Sequence, residues 1–164
     1  MNVVERGECA TLLRYFRGEH DHLLQQLETL KKLLYSGSNW DAEKEEQIVA
    51  LTADLVQNML HHFTEEEEIL FPLITQANLT LVHPVSAMKK EHERIRATLL
   101  QLQSETECCQ KTKQSSHRLI TLMREAWQLV LDHLSKENLM LIPMANQLLH
   151  ENEREAVLKK VGRK

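Results

Sequence analysis

Apolar residues recur every three or four positions along most of the chain, in four stripes separated by polar breaks. The first stripe, Leu13, Phe16, His20, Leu23, Leu24, Leu27, Leu30 and Leu34, predicts a helix from about Cys9 to Tyr35, stopped by a Ser-Gly-Ser-Asn loop. A second helix should start near Asp41 and carry Ile48, Leu51, Leu55, Met59, His62, Glu66 and Ile69 until Phe71-Pro72 disturbs or ends it. The third begins close to Pro84, a first-turn residue, with Val85, Met88, His92, Ile95, Leu99 and Leu102 on its stripe. The fourth carries Leu119, Leu122, Ala126, Val130, His133, Glu137 and Leu141. Between the last two, Ser104 to Ser116 is polar without a strong breaker, so the pattern leaves that turn unplaced. A short helix from Glu151 to Val161 should pack on the bundle end. Long helices with single apolar stripes and short connections predict an all-α, up-down-up-down four-helix bundle over 1–150, followed by a short C-terminal helix and basic tail over 151–164.

The stripes contain a repeat. Glu19-His20, His62-x-x-x-Glu66 and Pro72 in the first half recur 71 or 72 residues later as Glu91-His92, His133-x-x-x-Glu137 and Pro143. Apolar positions follow the same register: Leu23, Leu27 and Leu30 match Ile95, Leu99 and Leu102, while Met59 and Phe63 match Val130 and Leu134. Matching apolar positions would indicate only two similar helical hairpins. Matching histidines and glutamates require a chemical reason.

Composition narrows the class. Four glycines, three prolines and few aromatic residues in 164 suit long helices. A formal net charge of −4 argues against a nucleic-acid partner, because phosphate binding needs a concentrated basic surface. Lys159, Lys160, Arg163 and Lys164 read as a solvated tail. No apolar run approaches the roughly 20 residues of a membrane span, and the N-terminus lacks a signal-peptide core, so a soluble, cytoplasmic protein is expected. Three cysteines, two of them adjacent at Cys108 and Cys109, make no disulfide framework. Cys9, Cys108 and Cys109 are expected to be ordinary reduced residues.

Of nine histidines, His20, His62, His92 and His133 share the apolar stripe of their helix. His22 and His61 have polar neighbours at helical offsets and should face water, as should most of the run Glu65 to Glu68 except Glu66. His83, His117 and His150 sit near helix ends and are expected to be incidental. Four imidazoles and two carboxylates turned inward would be costly to bury unpaired, and metal cations remove that cost. Histidine and glutamate four residues apart lie one turn apart on one face, so the imidazole can bind terminally while the carboxylate reaches a neighbouring ion. Mixed imidazole and carboxylate ligands suit iron, ahead of manganese, over a closed structural zinc site. The ferritin-like alternative needs Glu-x-x-His on two helices, and the chain has only Glu19 to His22.

These motifs, Glu-His-Asp-His-Leu-Leu at 19–24, His-His-Phe-Thr-Glu-Glu-Glu-Glu-Ile-Leu-Phe-Pro at 61–72, Met-Lys-Lys-Glu-His-Glu at 88–93 and Asp-His-Leu-Ser-Lys-Glu-Asn at 132–138, resemble the hemerythrin-like (HHE cation-binding) family. The resemblance implies a non-haem di-iron centre of two iron ions, with His20, His62, His92 and His133 as terminal ligands, two per iron, and Glu66 and Glu137 bridging. Oxygen-carrying members have a further histidine on the third helix where this chain has Met88, a poor ligand for such an iron. The remaining set is similar to that of di-iron proteins implicated in iron-sulfur cluster repair, which usually carry an N-terminal cysteine domain; here 19 residues precede His20.

The expected function is therefore to bind or react with oxygen, nitric oxide or peroxide in oxidative or nitrosative stress defence or cluster repair. Its alternative is a non-catalytic oxygen, nitric oxide or iron sensor acting through a protein partner, either an iron-sulfur or a signalling protein. Phe16 and Met88, equivalent in the repeat and one turn before His20 and His92, are expected to form an apolar lid beside the cofactor. A metal-free helical interaction protein is the third reading.

Overall fold

The computed structural model describes residues 11–37 and 39–161; the expected helix start at Cys9 and the tail residues Arg163 and Lys164 fall outside them. Among the described residues the protein is helical without a strand. Helix α1 spans Leu12–Tyr35, and the Thr11 hydroxyl accepts the Arg14 N–H at 3.2 Å to cap it. Helix α2 spans Ala42–Glu65 and is capped by Asp41, which accepts the Lys44 N–H at 2.8 Å. Such caps satisfy N–H groups that have no partner within the helix.

At Phe71-Pro72, where the pattern expects the second helix to be disturbed or to end, it is disturbed and continues. At Glu66 it widens into a π turn, Glu66–Leu70, and resumes as α3, Phe71–Ala77, with Pro72 in the first turn. The second half does the same. Helix α5, His117–Lys136, opens into a π turn at Glu137–Leu141 and resumes as α6, Ile142–Leu148, with Pro143 in the first turn. A proline inside an α-helix lacks a donor and clashes with the carbonyl four residues back. The widened turn relieves that clash without ending the helix. Each π turn begins on an inward glutamate, in keeping with the concentration of such turns at functional sites.

Helix α4, Val82–Thr112, has Pro84 in its first turn and ends at Lys113, whose φ of 59° is left-handed. The turn that the pattern could not place therefore lies at residues 113–116, with Ser116 capping α5 through the Leu119 N–H at 2.9 Å. It is tied to the connection between α1 and α2. Trp40 donates its backbone N–H to the Lys113 carbonyl at 3.1 Å, and Glu45 pairs with the Lys113 ammonium and accepts from Gln110 at 3.1 Å. The short helix α7, Glu151–Lys160, packs against α1 and buries Val157.

The long helices pack α1 on α2 and α5, α2 on α4, and α4 on α5. Their apolar interior is in two parts. One, containing Leu27, Leu30, Ile48, Leu55, Ile95, Leu99, Leu102, Leu119 and Val130, lies toward the two tied connections. The other, containing Leu12, Phe16, Leu70, Phe71, Ile74, Val85, Leu141 and Ile142, gathers the other end with α3, α6 and α7. Between them along each long helix stand His20, His62, Glu66, His92, His133 and Glu137. Cys109 joins the first cluster, and Cys108 is exposed. No helix among the described residues is long and apolar enough to cross a membrane.

Leu99 is fully buried in the larger cluster, whereas Leu100 is 48% exposed. Leu99→Ala should cost about 2–5 kcal/mol and Leu100→Ala within about 0.5 kcal/mol of zero, read by urea unfolding. Similar losses for both would mean that the core is not organised around this stripe.

Candidate metal centre

The polar layer brings together all six residues singled out by the repeat. His20, His62, Glu66, His92 and Glu137 have no exposed surface, and His133 has 1%. Their atoms form two groups, His20, His62, Glu66 and Glu137, and Glu66, His92, His133 and Glu137; within each group one ligand atom per residue lies within 4.8 Å of the others. Both carboxylates belong to both groups.

Each carboxylate divides its oxygens between the groups. Glu137 places Oε2 at 3.3 Å from His20 Nε2 and 3.7 Å from His62 Nε2, and Oε1 at 2.9 Å from His133 Nε2 and 3.7 Å from His92 Nε2. Glu66 turns Oε1 toward His62 Nε2 at 3.7 Å and Oε2 toward His92 Nε2 at 3.3 Å. Within each histidine pair the Nε2 atoms converge, to 3.2 Å for His20 and His62 and to 3.0 Å for His92 and His133. Two nitrogens on one ion with bonds of about 2.1 Å sit about 3.0 Å apart at right angles and about 3.4 Å apart at the tetrahedral angle. The His92 and His133 spacing matches the right-angle arrangement, and the His20 and His62 spacing lies midway between the two.

The donors fit cations and fit poorly without them. Both oxygens of Glu66 are buried without a hydrogen-bond partner, and those of Glu137 are buried with only imidazoles near them, His133 Nε2 being at 2.9 Å. Burial, reinforced by the charge of Glu137, pushes the Glu66 carboxyl well above the ordinary range. Burial opposes ionisation of Glu137 as well, but the imidazoles of His133, His62 and His92 outweigh it and hold this carboxyl well below that range. Burial and then the neighbouring His62 lower His20 to about 4, which keeps its imidazole neutral. An apolar core tolerates two facing carboxylates only when one is protonated or cations lie between them.

A second layer aims the imidazoles. His20 Nδ1 is 2.8 Å from Asn138 Oδ1, His92 Nδ1 is 2.7 Å from Glu67 Oε1, and His133 Nδ1 is 3.1 Å from Glu91 Oε2. An Nδ1–H donated outward leaves the Nε2 lone pair facing the centre. Phe63 stacks on His92 at 3.9 Å, Phe71 stacks on it at 5.6 Å, and the Phe16 ring meets His62 edge-on at 6.2 Å. Phe16 is fully buried and Met88 half-buried, both in the apolar cluster on the α3 and α6 side of the layer.

Two surface expectations need correction. Glu65 is buried, accepts the Tyr15 hydroxyl at 2.9 Å and lies 3.0 Å from His61 Nε2, so His61 is half-buried rather than directed wholly to water. Glu67 reaches His92. Glu67 does so because the π turn changes the angular positions that an α-helical wheel assigns beyond Glu65, whereas Glu65 ends α2 and is held by the Tyr15 hydroxyl. His22 is exposed, as its neighbours imply, and so are His83, His117 and His150 near helix ends. Asn138, Glu67 and Glu91 were missed as histidine partners, although the repeat carried a signal: Glu67 and Asn138 each follow a central glutamate.

The family described as Hemerythrin HHE cation binding domain matches residues 11–145. No curated protein matches the chain.

Because folding raises the Glu66 pKa, the metal-free native state keeps a proton that the unfolded chain releases above the ordinary carboxylate range, so this group's contribution to stability falls as pH rises. Glu66→Met should stabilise the metal-free protein by about 1–3 kcal/mol, with a larger gain near pH ~8 than near pH ~5. A loss of stability in urea at both pH values would show that the carboxyl is well accommodated without metal.

Proposed function

Since the chain belongs to the hemerythrin HHE cation-binding family, we propose that it holds two iron ions in a non-haem di-iron centre and binds or reacts with oxygen, nitric oxide or peroxide, in stress defence or iron-sulfur cluster repair. The observation that carries this reading is the sharing of Glu66 and Glu137 by two four-residue groups. His20 and His62 hold one ion, His92 and His133 the other, and the two carboxylates bridge. Imidazole and carboxylate donors without thiolate favour iron, with manganese behind it. Bound iron would supply Lewis-acid and one-electron chemistry to a small molecule taken up at positions that four protein donors leave free.

The chain's own residues do the rest. Asn138, Glu67 and Glu91 keep the Nδ1 protons of His20, His92 and His133 directed away from the centre. Phe16 and Met88 form the apolar lid that restricts water and admits small diatomic molecules. The up-down-up-down bundle over 1–150, with 151–164 as an appended helix and tail, is supported by the way α1 and α4 run from the second apolar cluster into the first while α2 and α5 run back. A cytoplasmic setting is supported by the odd number of cysteines.

A sensor or binding module acting through a protein partner is the second reading. It is favoured by Leu139 and Met140, which are 78% and 59% exposed on the π turn that begins at Glu137. Ligand-dependent partner binding without turnover of peroxide or nitric oxide would select it over the reactive centre.

Purified protein should carry two irons per chain, one for each group, and lose both in a His62→Ala, His133→Ala variant. Metal analysis that finds no iron, or unchanged iron in the variant, would refute the assignment. Met88→Ala should alter the rate of nitric oxide or oxygen binding measured by stopped-flow absorbance, and an unchanged rate would remove the lid role.

A further inference from the structure

The central layer repeats closely, but the layer behind it does not. On one side His92 donates to Glu67 and His133 to Glu91, so two carboxylates stand behind two imidazoles. Each carboxylate is itself supported: Lys136 Nζ lies 2.6 Å from Glu91, and the Arg96 guanidinium lies 3.8 Å from Glu67. On the other side His20 meets the neutral amide of Asn138, and the buried Nδ1 of His62 has no hydrogen-bond partner.

The repeat explains the difference residue by residue. Asn138 occupies the position of Glu67, each one residue after a central glutamate. Glu19 occupies the position of Glu91, each one residue before a central histidine, and would be the partner of His62. The residue that clamps Glu91 is Lys136, and its counterpart is Glu65, of like charge to Glu19. Glu65 is buried and bonded to the Tyr15 hydroxyl at 2.9 and 3.2 Å. The acidic Glu65 supplies no ammonium to clamp Glu19 as Lys136 clamps Glu91, and the His62 Nδ1 has no hydrogen-bond partner.

We propose that the two ion positions are inequivalent, with the His92 and His133 position retaining its divalent ion more tightly than the His20 and His62 position. The inference rests on the two-metal reading above. Its physical basis is that an imidazole whose outer N–H is held by a carboxylate is a stronger donor, and that removing such a partner costs about 10–100-fold in metal affinity. The exchangeable ion is therefore the one held by His20 and His62.

Anaerobic iron(II) titration of the full chain against a chromophoric chelator tests this. Two ions should bind in separate steps about 10–100-fold apart. Glu67→Gln combined with Glu91→Gln should weaken the tight step until the two nearly coincide, while Asn138→Asp should strengthen the weak step. Thermal unfolding of the metal-free variants controls for misfolding, and Asn138→Asp provides a gain that misfolding cannot mimic. Two ions of equal affinity, or two steps that neither variant shifts, would overturn the inequivalence and leave the two-metal centre standing. A total of one ion or none would overturn the two-metal reading and this inference with it.

Discussion

Two carboxylates facing each other inside an apolar core constrain the rest of this protein. Glu66 and Glu137 have no exposed surface, and the groups that approach their four oxygens are buried imidazoles. An unpaired buried charge costs several kcal/mol, about as much as a small domain's net stability. The imidazoles around them outweigh that cost at Glu137 but leave Glu66 pushed toward its protonated form. The layer makes chemical sense as a place for cations.

The backbone is shaped to bring the carboxylates there. Each π turn begins on the glutamate, and each is followed by a proline in the first turn of the resumed helix. A regular α-helix through Glu66 would not present Glu66 to the centre and Glu67 to His92 at once. The widened turn allows both, because it spreads successive side chains over a different arc. The proline then tolerates, and benefits from, the wider path. Local irregularity and site chemistry have a common origin in these five-residue segments.

Most of the fold and the inner site were legible because they depend on periodicity. A stripe that puts His20 among Leu13, Phe16, Leu23 and Leu27 can only face inward, and the twofold recurrence supplied the rest. The outer layer was not legible because it depends on departures from that period. Glu67 stands in a run of four glutamates whose helical wheel points it to water, and the wheel is wrong where the helix is not α; Glu65, still α-helical, is covered by Tyr15 of α1. Ile69 was placed on the inward stripe for the same reason, whereas Leu70 is the fully buried residue. The turn after Thr112 was missed because its left-handed residue is Lys113 rather than glycine, so no breaker marked it.

The arrangement also separates folding from metal binding. One apolar cluster draws residues from all four long helices and the other from α1, α4 and the continuations α3 and α6, so the helices pack on both sides of the layer through apolar contacts. This differs from small metal-nucleated domains, in which binding free energy is folding free energy. Ions bound in this layer would act on a framework already packed, and their contribution would be mass action, about 2.7 kcal/mol at a free concentration one hundred times Kd. A preformed cradle that tolerates an empty position can release and recover an ion without unfolding. Partial occupancy of the proposed two-metal centre would then be physically accessible to this fold, with the asymmetry of the outer layer selecting which position empties first.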